Sequence, residues 1–182
     1  MENRKIIRFL AEVNQQSANA LIGVVENMIR SKVNNILLLI SSPGGSVFHG
    51  VSIYNFLKRA PIKVETFNFG SVDSIASVIY CSGSKRYCVP NARFLIHSVS
   101  LNIQGPASFE EKKLNEIIGG LKLDRENISQ IIAENCKKTT AEVEKIMLEG
   151  KTYNSIEAMQ FGLVTEIAEK LFDEGEEIIG IG

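Results

Sequence analysis

The chain has 182 residues, 45% of them hydrophobic and 23% charged, with a formal net charge of −1 at pH 7, which predicts one globular domain over residues 1–182. Lysine and arginine are spread along the sequence without a basic run, which argues against nucleic acid or an anionic membrane as a partner. The sequence contains neither a signal-peptide core nor the roughly 18 to 20 apolar residues that span a bilayer, so we expect a cytoplasmic protein.

The first part of the chain alternates strand-like and helix-like patterns. A β-branched run at 6–10 is followed by 14–31, where apolar residues recur at helical spacing. The apolar run 35–40 ends at the turn 41–45, as a strand buried on both faces does, and 47–57 then has a helical pattern. We predict βαβ units from this alternation.

The middle of the chain continues the alternation with shorter elements. Residues 62–67 have a strand pattern, and 74–80 form a predicted helix of small residues. Two further short strands are predicted at 86–89 and 94–96. The expected result is a largely parallel sheet.

A long helix with polar faces is predicted over 109–136, with an interruption at Gly119 and Gly120. It is longer than a domain of this size needs for its own core, so we expect it to project from the body. Two more helices and a last strand follow, and the acidic, glycine-rich tail at about 169–182 is expected to be loose.

Three cysteines, Cys81, Cys88 and Cys136, have spacings that match no common zinc or redox motif. We predict buried free thiols and no disulfide, because a free cysteine packs as a small apolar residue. The sequence implies no metal and no organic cofactor.

Only two histidines are present, so few residues can act as a general base near neutral pH. His97 ends the apolar strand 94–96, at the edge of the sheet where α/β folds bind ligands, although a structural role is the alternative. His49 lies in a predicted helix without a clear partner, so we assign it a surface or packing role.

Ser74 has the setting that a serine nucleophile needs. It follows a strand and opens a small-residue helix, so that backbone N–H groups at a positive helix end lie beside its hydroxyl. Helix capping is the alternative role for a serine there. Gly44 and Gly45 offer bare N–H groups for an oxyanion or an extended peptide, with a simple turn as their alternative.

The glycine turn, the serine and the histidine together resemble the ClpP family of self-compartmentalised serine peptidases. The resemblance runs from about residue 5 to 167 and is carried by LISSPGGSV (39–47), GSVDSIAS (70–77), KRYCVPNARFLIH (85–97) and EAMQFGLV (157–164). It implies an α/β fold, the ClpP/crotonase-like spiral of βαβ units. It also implies that 98–136, with a short strand near 99–104, is a protruding handle that interlocks two heptameric rings.

The resemblance also implies the chemistry. Ser74 is then the nucleophile, His97 the general base, and the N–H groups of Gly45 and Ile75 the oxyanion hole of a serine endopeptidase that works through an acyl-enzyme. Substrates are expected to be peptides or unfolded chains that lie extended beside Gly44 and Gly45.

Two positions depart from the family pattern. Gly150 stands in the place of the triad aspartate, which in other triads is worth about 10⁴-fold in turnover. Glu149 is a possible third member if the backbone shifts by one residue, with a surface charge as the alternative; a dyad backed by water or a backbone carbonyl is another. Asp73 stands where the family usually has alanine, and its charge would oppose an oxyanion unless the side chain points away.

We expect a homo-oligomeric ring or double ring. An AAA+ unfoldase partner is not expected, because the sequence begins directly at the first strand. Three alternatives in function stay open: a catalytically impaired ring subunit or scaffold, an acyl-CoA enzyme of the crotonase fold, and a Ser–Lys dyad that uses Lys112, Lys113 or Lys122. Labelling of Ser74 by a serine-reactive probe would separate the peptidase from the first two.

Overall fold

The computed structural model describes residues 4–101, 105 and 108–182. Within them, eight strands and six helices alternate along the chain. The strands are β1 (Arg4–Leu10), β2 (Asn35–Ser42), β3 (Lys63–Asp73), β4 (Arg86–Cys88), β5 (Arg93–Ile96), β6 (Lys151–Asn154), β7 (Glu166–Ile167) and β8 (Ile178–Ile181). The helices are α1 (Gln15–Arg30), α2 (Val47–Arg59), α3 (Ala76–Tyr80), α4 (Glu111–Cys136), α5 (Thr140–Glu149) and α6 (Ser155–Phe161).

The strands form one sheet in the order β6-β5-β3-β2-β1-β8, and β4 joins β3 to β7 on a branch. All of these pairings are parallel except β5 with β6. The predicted parallel sheet and the mixed α/β fold class are therefore confirmed. Parallel neighbours need crossover connections, and the helices of the βαβ units supply them.

Strand β2 lies at the centre because its side chains are apolar on both faces. Ile36, Leu38 and Ile40 point into the main core, where they pack among residues of the helices. Leu37 and Leu39 alternate with them and point to the opposite face, into a smaller cluster with Ile6 and Phe67.

The acidic tail is not loose at its end, in contrast to the expectation. Residues 178–181 form β8, which pairs in parallel with β1. Two ion pairs hold the tail to that strand: Arg4 Nη2 lies 2.6 Å from Glu176 Oε2, and Lys5 Nζ lies 2.7 Å from Glu177 Oε2. The hydrogen bond from Arg4 holds the pKa of Glu176 below its ordinary value. A strand with an open edge and two cations therefore orders an acidic segment.

Helix α4 runs without interruption through Gly119 and Gly120, so the predicted break there is wrong. Glycine in a helix interior costs about 1 kcal/mol relative to alanine, but it keeps its backbone hydrogen bond. The buried residues of α4 all lie between Ile128 and Cys136, and the earlier half is exposed. Of the strand predicted near 99–104, residues 99–101 have no regular structure, and 102–104 lie outside the described residues.

All three cysteines are buried free thiols, as predicted. Burial raises the pKa of Cys88 to about 11. A hydrogen bond between the thiols of Cys81 and Cys136 holds the pKa of Cys136 well above its ordinary value. In the part of the chain that the structure describes, no helix is long and apolar enough to cross a bilayer.

Arg86 is a buried cation on β4 that donates hydrogen bonds to carbonyls at helix ends. Its guanidinium donates to the carbonyls of Leu163 at 2.7 Å and of Asn135 at 2.9 Å. It also donates to the carbonyl of Gly162 at 3.1 Å, so the ends of α4 and α6 share one donor group. These carbonyls belong to helix ends, where backbone acceptors lack partners within the helix.

We therefore expect Arg86→Met to lower the free energy of unfolding by about 3 kcal/mol, because several buried carbonyls lose their donor at once. Urea denaturation at fixed protein concentration measures this change. The matched control is Arg30→Met, whose exposed partner Glu26 lies 3.4 Å away. Exposed pairs contribute little, so the control should change stability by less than about 0.5 kcal/mol. Equal effects in the two variants would contradict the role assigned to Arg86.

Candidate active site

Ser74 lies at the carboxyl end of β3, which continues to Asp73 and is thus longer than the strand predicted at 62–67. Its backbone is in the left-handed region, with φ +58. Its N–H donates to the carbonyl of Leu95 at 2.8 Å, and its own carbonyl accepts from Ser77 Oγ at 2.6 Å. A non-glycine residue in this conformation costs about 1 to 3 kcal/mol and is often found at functional sites.

Helix capping does not explain the position of Ser74. The residue at the N-cap of α3 is Ile75, and no side chain caps that end among the described contacts. The Ser74 hydroxyl is therefore not engaged in the role that was the alternative to a nucleophile.

Gly44 packs directly against Ser74, which explains why glycine stands there. A Cβ at Gly44 would lie 2.6 Å from Ser74 Cβ and 2.8 Å from the carbonyl oxygen of Asp73. Both distances are too short for a side chain, and the φ of Gly44 is +90. The glycine turn therefore brings its backbone into contact with the candidate nucleophile.

The N–H of Gly45 takes no part in the bridge with Val13. Val13 N–H donates to the carbonyl of Gly44 at 2.7 Å, and Ser46 N–H donates to the carbonyl of Val13 at 2.8 Å. In this parallel bridge between Val13 and Gly45 the bonding groups come from the flanking residues Gly44 and Ser46, so the N–H of Gly45 is not used in the bridge. It is therefore left as a donor for another group.

One small cavity of about 60 Å³ brings the four predicted residues together. Ser74, His97, Gly45 and Ile75 all line it, at the carboxyl ends of β3 and β5. Its remaining walls come mainly from the segment after β5 and from buried residues of α4: Ser98, Val99, Ser100, Ile128 and Ile132. Gly50 lets α2 approach this site, because a Cβ there would lie 2.3 Å from Ile75 Cγ1.

His97 is oriented by a backbone carbonyl. Its Nδ1 lies 2.8 Å from the carbonyl oxygen of Ser98, so the proton is assigned to Nδ1 in the neutral ring. Nε2 then has a free lone pair that can accept a proton. Among the described contacts, no hydrogen bond joins His97 to Ser74; such bonds often tighten only when substrate binds.

Gly150, the expected position of a triad carboxylate, lies close to His97. A Cβ built on Gly150 would lie 4.0 Å from His97 Cβ. Glu149 does not take the place of a carboxylate there. Its Oε1 lies 4.0 Å from Lys145 Nζ on the surface of α5, and its side chain is 56% exposed. The contact behind the imidazole is therefore the carbonyl of Ser98.

Asp73 points away from the cavity and pairs with Arg93. Val72 and Phe94 belong to the main core, so the side chains of Asp73 and Arg93 lie on the opposite face of the sheet. The guanidinium of Arg93 binds Asp73 Oδ2, which offsets the charge beside the nucleophile. Sequence reasoning missed Arg93, although an acidic residue before Ser74 and a basic residue at the start of the next strand were visible.

His49 and the lysines lie away from this chemistry. His49 Nδ1 is 2.9 Å from Ser46 Oγ at the start of α2, and its ring contacts Phe48. Among the described residues that line the cavity there is no lysine. Lys112, Lys113 and Lys122 are exposed on α4, so the Ser–Lys alternative has no support here.

Comparisons with known proteins all find similarity to Clp proteases. A sequence model of the family described as Clp protease matches residues 1–171. The ATP-dependent Clp protease proteolytic subunit 2 of Pseudomonas aeruginosa is 36% identical over 134 residues, which is 72% of this chain and 65% of that protein. This match thus spans slightly less than two thirds of the relative's length. A solved structure of a ClpP1 mutant from Listeria monocytogenes has a TM-score of 0.79 at 27% identity and covers 91% of this chain and 92% of its own.

Proposed function

The chain belongs to the Clp protease family, and from that premise we propose that it is a serine endopeptidase with Ser74 as nucleophile and His97 as general base. The observation that carries the proposal is the shared cavity of Ser74, His97, Gly45 and Ile75. A hydroxyl, an imidazole and two backbone amides are the groups that acyl transfer through a serine requires.

In the proposed reaction, Ser74 Oγ attacks the scissile carbonyl carbon while Nε2 of His97 takes the hydroxyl proton. The tetrahedral oxyanion accepts hydrogen bonds from the N–H groups of Gly45 and Ile75. Its collapse breaks the C–N bond, and His97 returns the proton to the leaving amine. Water then attacks the acyl-enzyme by the same route and frees Ser74.

The left-handed backbone of Ser74 supports this assignment of roles. It turns the chain sharply between β3 and α3, at the edge of the sheet where the cavity lies. Gly44 and the carbonyl of Leu95 hold the residue there by contact and by hydrogen bond. A fixed nucleophile loses little entropy on the way to the transition state.

The substrate class that fits is an extended peptide or an unfolded chain. Gly45 forms a bridge with Val13 through its flanking residues, and among the described backbone contacts its own N–H has no acceptor, so it can donate to the carbonyl of a bound peptide. Addition of a strand through backbone hydrogen bonds is a common mode of peptide recognition.

We also propose that the subunit works in a homo-oligomeric ring, with α4 as the handle between two rings. The half of α4 that lies away from the body exposes three large apolar side chains, Leu114, Ile118 and Leu123. Exposed apolar surface of this kind is typical of contacts between subunits. The name of the Pseudomonas relative describes a proteolytic subunit, which is consistent with an assembly of several chains.

One observation favours a second function, a catalytically impaired ring subunit. Gly150 brings no carboxylate to His97, and the carbonyl of Ser98 is a neutral partner. A neutral partner orients the ring but stabilises the imidazolium less than a carboxylate does. This candidate predicts an assembled, folded protein whose Ser74 does not react.

A fluorophosphonate probe separates the two functions without knowledge of the substrate. We expect the assembled protein to form one covalent adduct, which peptide mass spectrometry locates on Ser74, because only a serine activated by a base reacts at a useful rate. Acid- and heat-denatured protein is the control and should not react. An adduct on another residue, or none on a folded and assembled protein, would overturn the proposed peptidase.

A further inference from the structure

An ion pair between a buried carboxylate and an exposed guanidinium lies one residue before the candidate nucleophile. Asp73 is the last residue of β3, and Arg93 is the first of β5. The register pairs Ser71 with Arg93 and Asp73 with Leu95, so these side chains share one face of the sheet. That face is opposite to the one on which the catalytic cavity opens, and neither side chain lines the cavity. The pair touches the site through the backbone of Asp73, which continues directly into Ser74.

The carboxylate of Asp73 depends on Arg93. Asp73 is 6% exposed, and its Oδ1 has no hydrogen-bond partner among the described residues. Arg93 binds Oδ2 and also donates from Nε to Ser71 Oγ at 3.2 Å. The Arg93 side chain itself is 56% exposed. Its removal would leave the buried carboxylate of Asp73 without its cation, and a buried charge without a partner is unfavourable for its surroundings.

The pairing of β3 with β5 at residues 71–73 and 93–95 also positions Ser74 and His97. The N–H of Ser74 donates to the carbonyl of Leu95, which is the register partner of Asp73. His97 follows Leu95 by two residues and comes directly after the end of β5. A shift of β5 relative to β3 would therefore move the imidazole of His97 relative to the Ser74 hydroxyl.

We propose that Arg93 is a positioning residue of the reaction, which acts through its ion pair with Asp73. The pair would hold the left-handed backbone of Ser74 and keep β5, the strand that leads into His97, in register with β3. The inference rests on the proposed peptidase function. It also fits the glycine at position 150. Among the described contacts the carbonyl of Ser98 is the partner of His97 Nδ1, so we expect the pairing of β3 with β5 to set the distance between base and nucleophile.

The test measures the rate constant of probe reaction at saturation, kinact, and the probe concentration for half-saturation, KI, on the assembled protein. We expect Arg93→Met to lower kinact by about 10²-fold, the effect of a small misplacement of reacting groups. KI should stay within about twofold, since Arg93 and Asp73 do not line the cavity that the probe enters. Arg30→Met, at an exposed ion pair on α1, is the matched control and should leave both constants unchanged.

Two further variants separate positioning from folding. Arg93→Lys keeps the charge but lacks the fork that reaches both Ser71 and Asp73, so we expect an intermediate loss of about 10-fold in kinact. If Arg93→Met does not fold, the kinact of Arg93→Lys tests the positioning role by itself. Asp73→Ala combined with Arg93→Met should be no slower than Arg93→Met alone, because both changes remove one pair.

The possible outcomes are distinct. Labelled wild type with an unchanged kinact in the Arg93 variants overturns the inference and leaves the proposed function standing. A smaller labelled fraction with an unchanged kinact shows a folding role only and overturns it too. No labelling of wild type or of Arg30→Met overturns the proposed function, and the inference with it.

Discussion

Replacement of Gly150 by aspartate should raise the rate at which Ser74 is acylated by about 10²-fold or more, since a triad carboxylate is worth about 10⁴-fold elsewhere. A Cβ at this position lies 4.0 Å from His97 Cβ, so we expect a carboxylate there to lie beside the imidazole. It would replace a neutral carbonyl with a charged acceptor that stabilises the imidazolium in the transition state. We expect less than the full 10⁴-fold, because part of the orienting effect is already supplied by the carbonyl of Ser98.

The backbone at Gly150 sets the choice of control for this prediction. Its φ is +68, a left-handed conformation that aspartate and asparagine tolerate better than other side chains do. Gly150→Asn therefore matches the aspartate variant in size and strain but carries no charge, and it should give no comparable gain. Rates of probe reaction and of hydrolysis of a short fluorogenic peptide measure the effect. Equal gains in both variants, or none in either, would show that no carboxylate is needed at this place.

Ser74→Ala and His97→Ala should each lower peptide hydrolysis by about 10⁴-fold or more, and the double variant should be little worse than either. The serine supplies the bond-forming oxygen, and the histidine supplies the only described imidazole of the cavity. Groups that act as one unit lose nearly all of their effect when any member is removed. Probe labelling should disappear in Ser74→Ala and fall strongly in His97→Ala.

The matched controls for these variants are Ser52→Ala and His49→Ala, both on α2 and outside the residues that line the cavity. They should keep wild-type rates within about twofold, since surface substitutions away from special features have small effects. Circular dichroism and size-exclusion chromatography confirm that each variant is folded and assembled. Hydrolysis that survives in Ser74→Ala would place the activity at another residue.

The fold was largely predictable because its signals are local. The apolar run in β2 is continuous, so burial on both faces follows from the residues themselves. The predictions were wrong where contacts with a distant segment, or the rest of a long helix, outweigh the local pattern. The tail after Glu169 has no strand periodicity, yet β1 offers it an open edge and two cations. Helix α4 continues through Gly119 and Gly120 because its other residues outweigh a local cost.

The sequence alone identified the candidate residues for the proposed chemistry: a serine after a strand, a histidine after the next, and a glycine turn before both. Only the tertiary structure decided which groups contact these residues. The carbonyl of Ser98 faces His97, Glu149 turns to the surface, and Arg93 takes up the charge of Asp73. Residue types and spacing are written in the chain, but the register of β3 with β5 and the direction of a side chain at a helix end arise from packing between distant segments.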